Sequence, residues 1–336
     1  MEGRNLHLGL DIGFGDVKVV AGVPEGGEAS EVRCRKFPSA IAYARSGIIG
    51  DLGDEACEKR YNYNGRDFLV GSAALDSPEV FSTRDINFLL SYAPLLAYVA
   101  LKELSNGSLD LCAKELCVGI PLAYFHSKRQ ALSEVLRETH VSGESVRFES
   151  VEVRAQGQGI LFDFMLDGEG RPIAERLDLN LLVLDIGFNT VDLLGVVRGR
   201  PSRQWSDMIE RGGISRVCEQ LGYYLKGEYG FDLSEQSLKD IVRKKEIVLY
   251  GATKDLSVVI RGICEDYAGW LVQEVASRWD GFLKRADALV LAGGGAYYLQ
   301  DYFLSRYPEK FVYVPAEPEY ANARGFYKYL RGWTNG

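Results

Sequence analysis

Apolar and small residues alternate through Leu6, Leu8 and Leu10, and a β-branched run, "VKVVAGV", resumes up to Val23. The glycine-rich segment Gly13 to Asp16 separates the two runs, so the pattern predicts a hairpin with that segment as its turn. A polar, glycine-rich stretch from Pro24 to Ser30 follows. From there to about Pro78 the pattern is mixed. The strand-like "DFLVG" stands among few periodic runs, which predicts a small insertion over about 29–85 rather than a core layer. Ile86 to Leu104 carries apolar residues at helical spacing. "ELCVGIPLAYF" reads as a buried strand ending at Pro121, Ser127 to Glu138 as a charged amphipathic helix, and "ESVEVRAQGQGILFDFML" as a strand, a glycine-punctuated bend at Gln156 to Gly159 and a further apolar segment.

Past the loop Asp167 to Pro172 the opening design recurs. Leu181 to Val197 is again strand, glycine-containing turn and strand, and two halves that begin alike suggest an internal duplication. The pattern then predicts a helix from near Gly213, a polar, charge-rich insertion (about 222–256) and a long helix from about Val258 to Arg285. "ALVLAGGGAYYL" is a buried strand running into three glycines, "FVYVP" a short strand, and a last helix starts near Tyr320. Strands alternating with helices give an α/β class. The expected domains are 1–165 and 173–336, with a terminal helix over about 320–332 returning to the first.

A chain of 336 residues can fill two domains with substantial cores. Its 39 basic and 47 acidic residues are mixed along the chain, giving a net charge of -8 without a basic arm or stripe. Direct binding to duplex DNA is therefore not expected. Six cysteines (Cys34, Cys57, Cys112, Cys117, Cys218, Cys264) form no CxxC pair, and three histidines (His7, His126, His140) are scattered, so no structural zinc is expected. Scattered thiols suit a reducing compartment. The amino terminus lacks a basic segment followed by an apolar run. The most apolar window, Phe88 to Leu101, is broken by Pro94 and is shorter than the roughly 18 residues of a membrane span. The expectation is a soluble, cytoplasmic protein with no membrane partner.

The chemistry concentrates at the two echoed segments, "LGLDIGFGDVK" and "LVLDIGFNTVD". Each ends a buried strand on an aspartate, Asp11 or Asp185, and follows it with glycine, which lets backbone N–H groups approach a phosphate. An aspartate there would repel phosphate directly but is well placed beside a hydrated divalent cation. Taken singly, each segment is equally a tight hairpin in which Asp and Gly serve only the turn. As a pair they say more: Asp-Ile-Gly-Phe recurs intact, with a valine at the same later offset. Two facing copies could clamp one polyphosphate, with Asp11 and Asp185 on its metal side. Gly293 to Gly295 could bring backbone close to a base or ribose, or could be a plain strand-to-helix turn.

With the two loops, the "AGGG" segment and, in order, "FPSAIA", "VGIPL", "AQGQG", "RGGISRV" and "YANARGFYKYL", the chain resembles the actin, sugar kinase and heat-shock chaperone ATPase superfamily. Within it the chain is similar to the prokaryotic actin-like proteins, notably ParM-like plasmid-segregation actins and their archaeal relatives. The resemblance implies a duplicated, ribonuclease H-like two-domain fold holding Mg-ATP between its domains. It implies a first phosphate loop of Asp11, Gly13, Phe14, Gly15, Asp16 and Lys18, with Lys18 reaching the phosphates, and a second of Asp185, Gly187, Asn189, Thr190 and Asp192. Asp11 and Asp185 would meet magnesium through water, and Gln156, or its neighbour Gln158, would orient the attacking water. Glu210, Gly212 and Gly213 would lie near the nucleoside, and Gly293, Gly294 and Gly295 beneath the adenosine. The implied function is an ATPase that assembles into filaments, for plasmid or DNA segregation through an adaptor protein or for another cytoskeletal role. A small-molecule kinase, or a weakly hydrolysing nucleotide-binding scaffold, stands as the alternative.

Overall fold

In the computed structural model, residues 6–23, 31–44, 59–75, 77, 79–82, 86–105 and 113–333 are described. The polar stretch Pro24 to Ser30, Cys57 and Cys112 lie outside them. The chain divides into two compact units, residues 1–176 with 320–336, and residues 177–319.

The first unit is built on a five-stranded sheet. Leu6–Ile12 pairs antiparallel with Asp16–Val23, which pairs antiparallel with Glu31–Pro38; on its other side Leu6–Ile12 runs parallel to Ala113–Ile120, and that strand parallel to Ser150–Ala155. The second unit repeats this connectivity. Leu181–Ile186, Val191–Val197 and Arg200–Ile209 form the antiparallel meander, and Ala288–Ala292 and Val312–Tyr313 add the two parallel strands. The central strands are apolar on both faces because helices cover them, as parallel strands require: Leu8, Leu10, Leu182, Leu184 and Leu291 are fully buried.

Two edge strands of the core sheets depart from the sequence pattern, and so does the hairpin Glu138–Val141/Glu144–Arg147. Glu31–Pro38 lies within the stretch read as an insertion, yet it is the fifth strand of the core sheet. It is an edge strand with Val32 and Lys36 exposed, so it lacks the apolar run of its neighbours. The rest of that stretch does form a separate small sheet, ordered Tyr61–Tyr63, Arg66–Val70, Ala40–Tyr43 and Val80–Ser82. In the second unit the ten-residue strand Arg200–Ile209 has no counterpart in the pattern reading, since it too is a mostly polar edge. The polar insertion of that unit consists of the helix Glu235–Lys244 and the hairpin Glu246–Leu249/Ala252–Asp255.

The helix Ile86–Ser105 passes straight through Pro94. Among the described residues it is the one helix long and apolar enough to cross a membrane by length and composition, but 67% of its apolar window is buried inside the structure. Leu95, Leu96, Leu101 and Leu104 belong to the core under the first sheet. Among the described cysteines, Cys117, Cys218 and Cys264 are buried free thiols.

The closing helix Ala321–Trp333 lies against the first sheet so tightly that a Cβ on Gly9 would fall 2.0 Å from the Ala323 carbonyl oxygen. It crosses the short helix Gln158–Met165 at Gly159 and Gly325. A buried ion cluster locks the crossing. Arg324 donates to both Asp163 carboxylate oxygens at 2.8 and 2.6 Å, and Lys328 reaches the same carboxylate at 2.8 Å.

Candidate functional site

The two hairpins share one local geometry. In the first, Asp11 stands opposite Lys18 and Ile12 opposite Val17; in the second, Asp185 stands opposite Asp192 and Ile186 opposite Val191. The turns close identically, by Gly13 N–H donating to the Asp16 carbonyl at 3.1 Å and Gly187 N–H to the Thr190 carbonyl at 3.0 Å. The repeated Asp-Ile-Gly-Phe is therefore the same backbone object twice.

In the first unit Asp11 is buried at the strand end. A buried carboxylate must be paired or hydrogen-bonded, and two groups supply this. Lys18 Nζ lies 3.4 Å from its Oδ2, and Gln156 Nε2 donates to its Oδ1 at 2.9 Å. The turn is anchored from beneath by Ser39, whose hydroxyl donates to the Gly13 carbonyl at 2.6 Å and whose N–H donates to the Gly15 carbonyl at 3.2 Å. Phe14, Gly15 and Asp16 are half-buried at the tip.

The two glutamines are separated by geometry. Gln156 N–H continues the strand pairing by donating to the Ile120 carbonyl, which turns its side chain onto Asp11. Gln158 folds back, its Oε1 accepting from the Ala155 N–H at 3.0 Å. Between them Gly157 has φ 85°, a left-handed conformation that favours glycine, and its N–H donates to Asn322 Oδ1 at 3.0 Å. Sequence reasoning assigned roles to neither Ser39 nor Asn322, although both fall in segments that carried the family resemblance.

In the second unit Asp185 and Asp192 are both buried and directly opposed, and Thr190 Oγ1 donates to Asp192 Oδ2 at 3.3 Å. The segment after Arg200–Ile209 supports this turn: Gly213 N–H donates to the Asn189 carbonyl, Ile214 N–H to Gly187 and Ser215 N–H to Phe188. A Cβ on Gly213 would lie 2.4 Å from the Phe188 carbonyl oxygen, so the residue is a packing glycine under the loop. Gly212 is held by Tyr267, whose hydroxyl donates to its carbonyl at 2.5 Å, while Glu210 is exposed at the turn.

The triple glycine divides its work. Gly293 has φ 82° and would place a Cβ 2.6 Å from Asp185 Oδ1; Gly295 N–H donates to the Ile186 carbonyl at 2.8 Å. Gly295 thus bonds this turn to the end of the Asp185 strand, while Gly293 packs against it and donates its N–H to the Pro318 carbonyl at 3.0 Å. A Cβ at Gly294 would meet nothing within 4 Å, which leaves that backbone open to a ligand.

Among the described residues no three His, Cys, Asp or Glu side chains gather to ligate a metal directly. Each strand end instead carries one buried aspartate, Asp11 or Asp185, and a single carboxylate suits magnesium contacted through its water shell rather than directly.

Two family models match the chain. Residues 9–159 match the actin-like proteins N-terminal domain, and residues 183–304 match the archaeal actin homologue MreB-like C-terminal domain, so that between them they cover most of the sequence. An archaeal actin homolog of Thermoplasma volcanium is 25% identical over 95% of this chain and 97% of its own. Among solved structures, the archaeal actin homolog Ta0583 in complex with ADP superposes with a TM-score of 0.75 at 21% identity, covering 97% of this chain and 99% of that one. A 15-stranded ParM filament from Clostridium botulinum gives a TM-score of 0.74 at 18% identity, with the same coverage. The fold is the mixed α/β, two-domain actin-like fold.

Proposed function

We propose, from the premise that the chain belongs to the actin-like proteins, that it is an ATPase which binds Mg-ATP and assembles into nucleotide-regulated filaments. The observation that carries this reading is the repeated hairpin: one buried aspartate at each strand end, each followed by a turn of the same closure. A relative crystallised with ADP supports nucleotide binding, and a relative solved as a filament supports self-association.

In this reading the two turns hold the phosphates through backbone N–H groups, with Lys18 adding a positive charge. Asp11 and Asp185 would meet magnesium through water, and the ion would neutralise phosphate charge. Gln156 orients the attacking water; its amide, tied to Asp11 through Nε2, keeps Oε1 as the acceptor for a water proton. Positioning and charge, without a covalent intermediate, carry hydrolysis. The nucleoside lies against the open backbone at Gly294. With a net charge of -8 and no basic stripe, a DNA-segregating role would pass through an adaptor protein, and the chain would work in the cytoplasm.

The test is phosphate release by the purified protein with and without magnesium, alongside sedimentation and electron microscopy with ATP, ADP and no nucleotide. Asp11→Ala and Asp185→Ala should each abolish magnesium-dependent turnover while circular dichroism stays that of the parent. Near-normal hydrolysis in both variants would sink the two-loop reading.

A further inference from the structure

Gln156 sits at a chain reversal whose shape is not fixed by its own segment. The residue after it, Gly157, adopts φ 85°, and the strand Ser150–Ala155 gives way at this point to the helix Gln158–Met165. As the residue preceding the helix, Gly157 has an N–H outside the intrahelical ladder, and such a group needs a partner when buried. That partner comes from the far end of the chain. Asn322, in the first turn of the closing helix and itself buried, accepts the Gly157 N–H on Oδ1 at 3.0 Å, across 165 residues of sequence.

Four further contacts make this a rigid link. A Cβ on Gly159 would lie 2.5 Å from the Asn322 carbonyl oxygen and 2.7 Å from its Cα, so the bend rests directly on the Asn322 backbone. Two residues on, Arg324 is held bidentately by Asp163 of the helix that follows the bend. On the other side Gln156 N–H is tied to Ile120 of the neighbouring strand and its side-chain amide to Asp11. The Gln156 side chain is thus set between a fixed strand and a bend clamped by Asn322.

We infer that Asn322 is a positioning residue for Gln156: its side chain fixes the Gly157 bend and so aims the Gln156 amide at Asp11 and at the water it is to orient. This inference rests on the hydrolytic reading proposed above. It assigns Asn322 no contact with nucleotide; its effect runs through one backbone hydrogen bond. Without the acceptor, the Gly157 N–H is left buried and unpaired, and the bend relaxes toward other conformations that glycine permits. Misplacement of a positioning group by about 1 Å can cost on the order of 100-fold in rate.

Asn322→Ala should slow ATP turnover roughly 10- to 100-fold and leave the affinity for a fluorescent ATP analogue within about twofold. Asn322→Asp keeps the oxygen acceptor, and its charge lies at a helix N-terminus where it is favoured; turnover should return to within about threefold of the parent. A double-mutant cycle separates positioning from general damage. If Asn322 acts through Gln156, Asn322→Ala should add less than about twofold to the defect of Gln156→Ala. A defect that multiplies in full, or one in Asn322→Ala no larger than twofold, overturns the inference.

A second readout does not depend on turnover. In 15N-labelled protein, the Gln156 side-chain amide signal, identified by its loss in Gln156→Ala, should move in Asn322→Ala and stay near its parent position in Asn322→Asp. An unmoved signal in Asn322→Ala overturns the positioning role whatever the enzyme does. A shifted signal in a protein that hydrolyses no ATP upholds the link and overturns the hydrolytic reading instead. Thermal unfolding of each variant checks that the comparison is made between folded proteins.

Discussion

At Gln156 one hydrogen bond defines what a substitution removes. Nε2 donates to buried Asp11, so Gln156→Ala takes away both the proposed water acceptor and one of the two partners of that carboxylate, leaving Lys18. Turnover should fall by roughly 10- to 1000-fold, the usual range for one positioning group, while ATP still binds and assembled filaments persist longer. Single-turnover phosphate release and an independent nucleotide titration check this. Gln158→Ala should cost much less, because its side chain is engaged by the Ala155 N–H; a larger defect there would reassign the role. The paired aspartates were legible in the sequence because the signal is local and repeated. The proposed preference for Gln156 over Gln158 rests on the strand register, which spacing along the chain does not give. Ser39 and Asn322 were not legible at all: their partners, the Gly13 carbonyl and the Gly157 N–H, stand 26 and 165 residues away, and no spacing rule connects them.

Among the described glycines, the closest approach falls where the closing helix crosses Gln158–Met165. A Cβ on Gly325 would lie 1.7 Å from the Gly159 carbonyl oxygen, against backbone that cannot rotate aside. Gly325→Ala gains about 1 kcal/mol of helix propensity but must push the two helices apart. Overpacking typically costs about 1–3 kcal/mol and occasionally more, and this geometry belongs at the upper end. The net expectation is a loss of about 2 kcal/mol. Gly262→Ala is the matched control, since it lies inside the helix Ser257–Leu283 with nothing within 4 Å of the added Cβ, and it should be neutral or stabilising by up to about 1 kcal/mol. Urea unfolding of both variants decides the matter; equal midpoints would mean that the crossing yields freely. Buried elements were readable from pattern alone, as with Leu181–Ile186, whose six residues are all buried. The edge strands Glu31–Pro38 and Arg200–Ile209 were not, because one side of an edge strand faces water and its hydrophobic signature fades. The helix expected over Ile86 to Leu104 runs through Pro94, where the flanking Ala93, Leu95 and Leu96 are fully buried and packing holds the helix together.

For the whole molecule, the decisive quantity is the difference between ATP and ADP. The proposed reading has the turns of the repeated hairpin, alike in build, hold the phosphates. The terminal phosphate is the group that ADP lacks, and the charge-assisted hydrogen bonds to it are worth roughly 1.5–3 kcal/mol each. A ligand moves a conformational equilibrium only by its differential affinity for the states involved, so losing a few such bonds is enough to change which conformation predominates. Linkage makes the effect reciprocal: if subunit contacts form best in the arrangement that ATP favours, assembly tightens ATP binding and ATP lowers the concentration needed for assembly. Head-to-tail contacts that do not close on themselves then extend into a filament. The critical concentration, measured by light scattering across a protein series, should be lower with ATP or a slowly hydrolysed analogue than with ADP. Gln156→Ala, which keeps the terminal phosphate in place for longer, should hold the low value after the parent protein has drifted to the high one. Equal critical concentrations in the two nucleotides would refute the coupling even if ATP hydrolysis is robust, because hydrolysis alone does not require that the subunit contacts sense the phosphate.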